Sequence, residues 1–265
     1  MVACLRIGCS SWTSDAWWGK VYPQTVKPGD RLSLYARKYD SVEVDSSYYR
    51  DPGAFLVKRW AAATPEDFLF TLKVPQDLLD PRIPLDTGKW AFFLDHARLL
   101  GRKLGALLLQ FPPWFRPGKA FPFLEGLLSN LDPTLRYAVE LRDAGWYGGS
   151  VWDRLRKELG DRNIALTWSY LTYVTIPPEL TTDFVYVRFI GDHVAVPAET
   201  HGEIRIDRSS ELRTWAERVR SAQDRTQNIY VFFNNHFQGF APESVNQFRQ
   251  ALGMEPVDYL HGTFK

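Results

Sequence analysis

Cysteine is nearly absent: Cys4 and Cys9 are the only two in 265 residues. They share the first apolar run and sit too close for an easy bridge within a straight strand. Both are therefore expected to be reduced, as in a cytoplasmic protein. Histidine is also scarce, and His96, His193, His201, His236 and His261 are scattered without an HxH, HExxH or close Cys/His pattern. No metal site is expected from them. Glycine-rich loops of the P-loop or Rossmann type are missing, so no nucleotide cofactor is implied and the cofactor stays unassigned. No uncharged apolar run approaches the roughly 18 residues of a membrane span. The N-terminal stretch lacks the apolar core and cleavage pattern of a signal peptide, and no membrane partner is expected. Neither sign of charge dominates, with 32 basic against 31 acidic residues. That balance does not call for nucleic acid, which leaves only a local basic patch as its means of binding.

Apolar residues make up 45% of the chain and aromatics 15%, including 10 Trp. Such a composition suits a globular core, and the length suits one barrel domain over residues 1–265. Eight apolar runs read as strands: Leu5 to Cys9, Ser41 to Asp45, Phe68 to Val74, Leu104 to Phe111, Tyr137 onward, Asn163 to Trp168, Phe184 to Ile190 and Asn228 to Phe233. Helical spacing falls between most of them, over about Asp30 to Lys38, Ala54 to Ala63, Trp90 to Leu100, Phe121 to Leu131, Val151 to Leu159, Glu211 to Val219 and Pro242 to Ala251. Ser209 or Ser210 is the expected cap of the sixth of these. Asp77 to Lys89 reads as a loop long enough to cover a site. The rhythm predicts an α/β fold, a (β/α)8 TIM-type barrel, with a doubly wound sheet as the alternative.

Charge gathers where these runs end. In YAVELRDAGW, Glu140 and Arg142 stand two apart, and in SVEVD so do Glu43 and Asp45; such pairs share one side of a strand. Strand ends at the C-terminal face build the site of a barrel. That rule selects Ser10, Asp45, Tyr48, Lys73, Gln110, Glu140, Arg142, Arg188, Asn234 and Asn235. Glu140 and Asp45 are the expected acid–base pair. Lys73, Arg142 and Arg188 are expected to hold an anionic group, and Tyr48, Gln110, Asn234 and Asn235 to orient a ligand. Trp12 and Trp146, with Trp17 and Trp114, are candidates for an apolar wall. The bland reading of the charges is an ion-pair network that holds the mouth together. The expected partner is a small polar or anionic molecule, and hydrolysis is the preferred reaction. The alternatives are a binding module for a phosphorylated ligand or nucleic acid, and a structural scaffold.

The blocks IGCSSWTSDAWWGKVYP, VEVDSSYYR, FLFTLKVP, LLLQFPPWF, VELRDAGW, YVRFIG and VFFNNHFQGFAP resemble, in this order, the YecE-like family, the domain of unknown function seventy-two. The resemblance runs from about Ile7 to Ala241. It implies a TIM-type barrel and brings no settled reaction or cofactor with it. Shared positions fall at Ser10, Trp12, Trp17, Glu43, Asp45 (where the family is Asn-like), Tyr48, Lys73, Gln110, Pro112, Glu140, Arg142, Trp146, Arg188 and Asn234. Three departures stand out: Asp143 replaces a usual histidine, Ile190-Gly191 replaces His-Gly, and a Thr-His pair is missing between Gln76 and Leu85. A mechanism that used those histidines would be absent or altered here.

Overall fold

The computed structural model describes residues 3–259, so His261 lies outside the described residues. Eight parallel strands pair in sequence order and close into a barrel. They are β1 (Cys4–Cys9), β2 (Ser41–Val44), β3 (Leu69–Lys73), β4 (Leu104–Gln110), β5 (Tyr137–Glu140), β6 (Ala165–Leu171), β7 (Phe184–Gly191) and β8 (Asn228–Phe233). Interspersed are α1 (Arg31–Tyr35), α2 (Ala54–Ala62), α3 (Thr87–Arg98), α4 (Pro117–Ser129), α5 (Gly149–Asp161), α6 (Ser209–Gln223) and α7 (Ala241–Ala251). The eightfold alternation of strand and helix is broken once, because β6 runs into β7 through residues 172–183 without a helix. A closed parallel sheet replaces the doubly wound alternative.

Several expected boundaries move, each for a local reason. The first helix shrinks to α1: a 3-10 turn at Pro28–Asp30 takes Asp30 from its start, and residues 36–38 leave the helix as a turn, with Ala36 at the C-cap. The third begins earlier, at Thr87, where the Asp86 carboxylate accepts from the Lys89 amide at 2.9 Å and caps the first turn. That shortens the expected Asp77 to Lys89 loop, which also contains a 3-10 turn at Gln76–Leu78. Asn163 takes φ 55°, a left-handed conformation no strand residue adopts, so β6 starts at Ala165 and continues to Leu171. Neither Ser209 nor Ser210 caps α6. Ser209 is its first residue, and its amide donates instead to the Asp207 carboxylate at 2.9 Å.

Two apolar cores result from the alternation of side chains along each strand. Ile7, Val42, Phe70, Leu107, Val139, Leu166, Val187 and Val231 face outward into the large core beneath the helices. Ala106, Leu108, Ala138, Ala165, Phe184, Tyr186, Tyr230 and Phe232 fill the barrel interior. No helix among the described residues is long and apolar enough to cross a membrane.

β1 meets β2 where Gly8 leaves no room for a side chain. A Cβ there would lie 2.1 Å from the Ser41 carbonyl oxygen and 2.9 Å from the Tyr35 hydroxyl. Gly8→Ala is expected to cost about 2–3 kcal/mol or more in urea denaturation, because backbone must move. Gly126→Ala, in α4 with open space around it, should be neutral or stabilising by about 0.5–1 kcal/mol. Equal effects of the two substitutions would contradict this packing.

Candidate functional site

Counting upward in twos from the interior core leads to the mouth. Ala106 and Leu108 lead to Gln110, Ala138 to Glu140, Phe184 and Tyr186 to Arg188, Tyr230 and Phe232 to Asn234, and Ala165 to Ser169. The barrel lumen thus changes from apolar to polar over one layer of side chains. Register enforces the meeting: Gln110 pairs with Glu140 across β4 and β5, and Ser169 with Arg188 across β6 and β7.

Arg188 is the hub, and it is 1% exposed. Its Nε and Nη2 donate to the two oxygens of Glu43 at 2.8 Å each, a bidentate fork. Its Nη1 donates to Glu140 Oε2 at 2.7 Å and to Gln110 Oε1 at 3.1 Å. Tyr186 adds a hydroxyl donor to Glu43 at 2.8 Å, and Thr71 meets that hydroxyl at 2.7 Å. Ser169 donates to Glu140 Oε2 at 2.6 Å. Burial alone would neutralise these groups. For Arg188 it is outweighed by Glu140 and Glu43, which hold the guanidinium charge more firmly than usual. Burial likewise pushes the Glu140 carboxyl up, but Arg142, Arg188 and the Ser169 hydrogen bond outweigh it and hold it well below the usual carboxylate range.

The upper tier is more open. Arg142 Nε donates to Glu140 Oε1 at 2.6 Å and its Nη2 to Gln110 Oε1 at 3.0 Å. Lys73 Nζ donates to the same Gln110 oxygen at 2.9 Å and sits 5.2 Å from the centre of the Tyr48 ring. One amide oxygen therefore gathers three cationic donors, from Lys73, Arg142 and Arg188. Burial draws the Lys73 ammonium below its ordinary pKa, with Asp45 opposing and Arg188 assisting that shift. Asp45 stands 2.7 Å from Lys73 and receives the Asn234 amide at 3.3 Å. Asp45 Oδ1 is thus ion-paired with Lys73, and Arg188 Nη2 stands 3.7 Å from the same oxygen. The side chains of Asp45 and Arg142 are 29% and 16% exposed, against 0% for Glu43 and Glu140.

The structure thus brings together Asp45, Tyr48, Lys73, Gln110, Glu140, Arg142, Arg188 and Asn234. Ser10 follows β1, buried, and its hydroxyl has no hydrogen-bond partner among the described residues. Three expected members are placed in packing roles. Trp12 sits edge-on to Trp60. Trp146 stacks on Phe115 and donates to that residue's carbonyl at 2.7 Å. Asn235 accepts from the Trp17 indole and the Ala241 amide, and so ties the loops of β1 and β8. Arg188, expected to hold a ligand anion, instead spends its donors on buried protein groups.

Ser169, Thr71 and Tyr186 escaped sequence reasoning because neutral hydroxyls inside apolar strands look like packing. Strand parity was the signal that selects them. The histidines also come closer than their spacing indicates: His193 and His236 have ring centroids 3.7 Å apart, and His201 Nε2 lies 3.3 Å from His236 Nδ1. Burial, then the neighbouring His236, lowers the pKa of both His193 and His201. Among the described residues no group of His, Cys, Asp or Glu is arranged to hold a metal ion.

A cavity of about 350 Å3 opens beside this tier, with Tyr48, Gln110, Arg82 and Trp114 among its lining residues. Arg82 lies 4.3 Å from the Trp114 ring centre. A larger space of about 980 Å3 lies at the opposite end, around Arg136, Asn163 and Asp183 where strands begin. In barrels that end serves stability rather than chemistry, so size does not decide between the two.

Comparison with known proteins agrees with the barrel. The family described as "Protein of unknown function DUF72" matches residues 6–263, and the chain belongs to it. The UPF0759 protein YunF of Bacillus subtilis is 25% identical, over 95% of both chains. The UPF0759 protein YecE of Escherichia coli is 27% identical over 60% of this chain and 57% of its own. A solved DUF72 protein from Thermotoga maritima superposes with a TM-score of 0.78 at 27% identity, covering 94% of this chain and 99% of that one. One from Enterococcus faecalis, at 22% identity and a TM-score of 0.77, covers 95% and 96% and shares the fold.

The network sets an acid limit on stability. The Glu140 pKa is depressed on folding, so its contribution is complete above the unfolded carboxylate value of about 4.3 and is lost as pH falls below it. Urea stability of the wild type should therefore drop between about pH 5 and pH 2, and more steeply than that of Glu140→Gln. Arg188→Met, which strands two buried carboxylates, should cost about 3–5 kcal/mol at pH 7. A cost below about 1 kcal/mol would show that the hub is not buried as described.

Proposed function

We propose that this DUF72 chain is a barrel enzyme that binds a small anionic, polar molecule at the C-terminal mouth and hydrolyses it. The observation that carries the reading is the partial exposure of charged groups in the upper tier, 29% for the Asp45 side chain and 16% for that of Arg142, directly above glutamates at 0%. Asp45 is paired with Lys73 and Asn234 yet remains partly open, and Ser10 Oγ has no hydrogen-bond partner among the described residues, while the glutamates below them are fully engaged and closed off. Arg142 and Lys73 would face the anionic group, held in place by Gln110 and Glu140. Asp45, steadied by Asn234, would take a proton from the attacking water. Lys73, with its lowered pKa, is suited to return one to the leaving group. Glu140 is kept ionised and its oxygens are occupied, so its role would be to position Arg142 rather than to transfer protons. Tyr48 and Trp114 would flank the rest of the molecule in the 350 Å3 cavity, a size that suits small ligands.

One observation favours a second reading. The three acids Glu43, Asp45 and Glu140 face the three bases Lys73, Arg142 and Arg188 and can neutralise one another completely. In that case the mouth is a structural clasp.

A thermal-shift series at low salt against inorganic phosphate, sugar phosphates, nucleotides and carboxylates separates the two readings. Saturating anion at about 100 times its Kd should stabilise the wild type by about 2.7 kcal/mol. Arg142→Ala and Lys73→Met should lose that response, and Asp45→Asn should keep the binding and lose about 100-fold or more in turnover. Steep loss of binding with salt and no turnover would favour a binding module. A response identical in wild type and Arg142→Ala would leave the clasp.

A further inference from the structure

A third cavity, about 480 Å3, opens beside α3 and the turn after β2, and its lining includes none of the charged network. Its floor is one stripe of α3: Lys89, Phe92, Phe93 and His96 recur at the three- and four-residue spacing that shares a helix face. Phe93 is fully buried and anchors the helix, whereas Phe92 is 65% exposed. Tyr49, 73% exposed, faces this cleft from the turn after β2. Two large aromatics left this open beside one cavity are an unusual expenditure for a folded surface, since each would gain by burial.

The cleft also holds an oriented imidazole. His96 Nδ1 stands 2.6 Å from Asp51 Oδ2, a contact that requires the proton on Nδ1. The Asp51 carboxylate is itself held, because its other oxygen accepts the Gly53 amide at 3.0 Å. No described residue bonds Nε2. In the neutral tautomer that nitrogen is an acceptor. Lys89 is engaged by Asp77 at 3.1 Å and so does not supply a free charge. What remains is a half-apolar slot with aromatic walls, the exposed Arg50 at its rim and an acceptor directed by Asp51, within the volume range of small-molecule sites.

We infer that this cleft binds a flat aromatic ring that carries an N–H or O–H on its edge, the ring against Tyr49 and Phe92 and the edge donor on His96 Nε2. Indole and phenol are the simplest members of that class. The site shares Asp77 with the mouth cavity but uses none of Lys73, Asp45 or Arg142.

Ligand-detected NMR titration of the full chain with indole tests it. Saturable millimolar or tighter binding is expected. 1-Methylindole, which keeps the ring and lacks the donor, should bind about fivefold to tenfold more weakly. Phe92→Ala should weaken indole about tenfold, and His96→Phe should abolish the preference over 1-methylindole. Phe55→Ala removes an equally exposed ring outside the cleft and should change nothing. Arg142→Ala should also leave indole binding intact, so failure at the mouth and failure here are read separately. Absence of saturation up to the solubility of indole, or undiminished affinity in Phe92→Ala, would overturn the assignment.

Discussion

A guanidinium almost closed off from water, clamped between two carboxylates, is the constraint around which the upper half of the barrel is built. Arg188 of β7 reaches Glu43 of β2 and Glu140 of β5, three strands that are not neighbours. Such bonds can form only if the sheet closes with the correct register. A one-residue slip in any of the three would turn its charged side chain out into the apolar layer beneath the helices. Burying an unpaired charge costs more than any single packing defect. The network therefore selects one register from several that hydrophobic pattern alone would allow.

The barrel was legible because parallel strands buried on both faces leave near-continuous apolar runs, and eight of these alternate with mostly helical spacing. What the pattern does not encode is the missing helix between β6 and β7. Residues there include Pro177 and Pro178, and nothing in a strand's own sequence reports how the chain returns. The mouth was legible in its charged members because charge at the end of a buried strand is conspicuous. The hydroxyls of Thr71, Ser169 and Tyr186 were not, since threonine, serine and tyrosine are ordinary strand residues until parity is known. Trp146 and Asn235 show the converse error. Both follow strand ends, yet one is spent on stacking and the other on tying loops, because position along the chain says nothing about which way a loop residue turns.

The departures from the family pattern acquire a physical meaning at two places. Asp143 caps the 3-10 turn Ala144–Tyr147 by accepting the Gly145 amide at 2.9 Å, and it also meets Arg116 at 3.4 Å. A carboxylate suits that work, so this position serves turn closure. Ile190 is buried among apolar side chains. Imidazole is not lost from the neighbourhood, however. His193 feels the charges of Arg142 and Asp45 as well as His236, which places ring nitrogens within electrostatic reach of the upper tier from the loops after β7 and β8.

Stability alone is a weak reason for keeping so much charge in a closed barrel. A buried ion pair gains little over well-packed apolar side chains of the same volume, because desolvation consumes most of the attraction. The layer immediately below, with Leu108, Ala138 and Phe232, fills the lumen without any charge. The charged layer costs more and delivers something the apolar layer does not: donors and acceptors fixed in direction. Glu140 aims Arg142, and Gln110 gathers Lys73 and Arg142 on one oxygen. Dipoles held in place before a ligand arrives need no reorganisation when charge develops near them, and that is where electrostatic catalysis obtains its advantage. Rigid support below and partly exposed charges above are the arrangement such preorganisation requires.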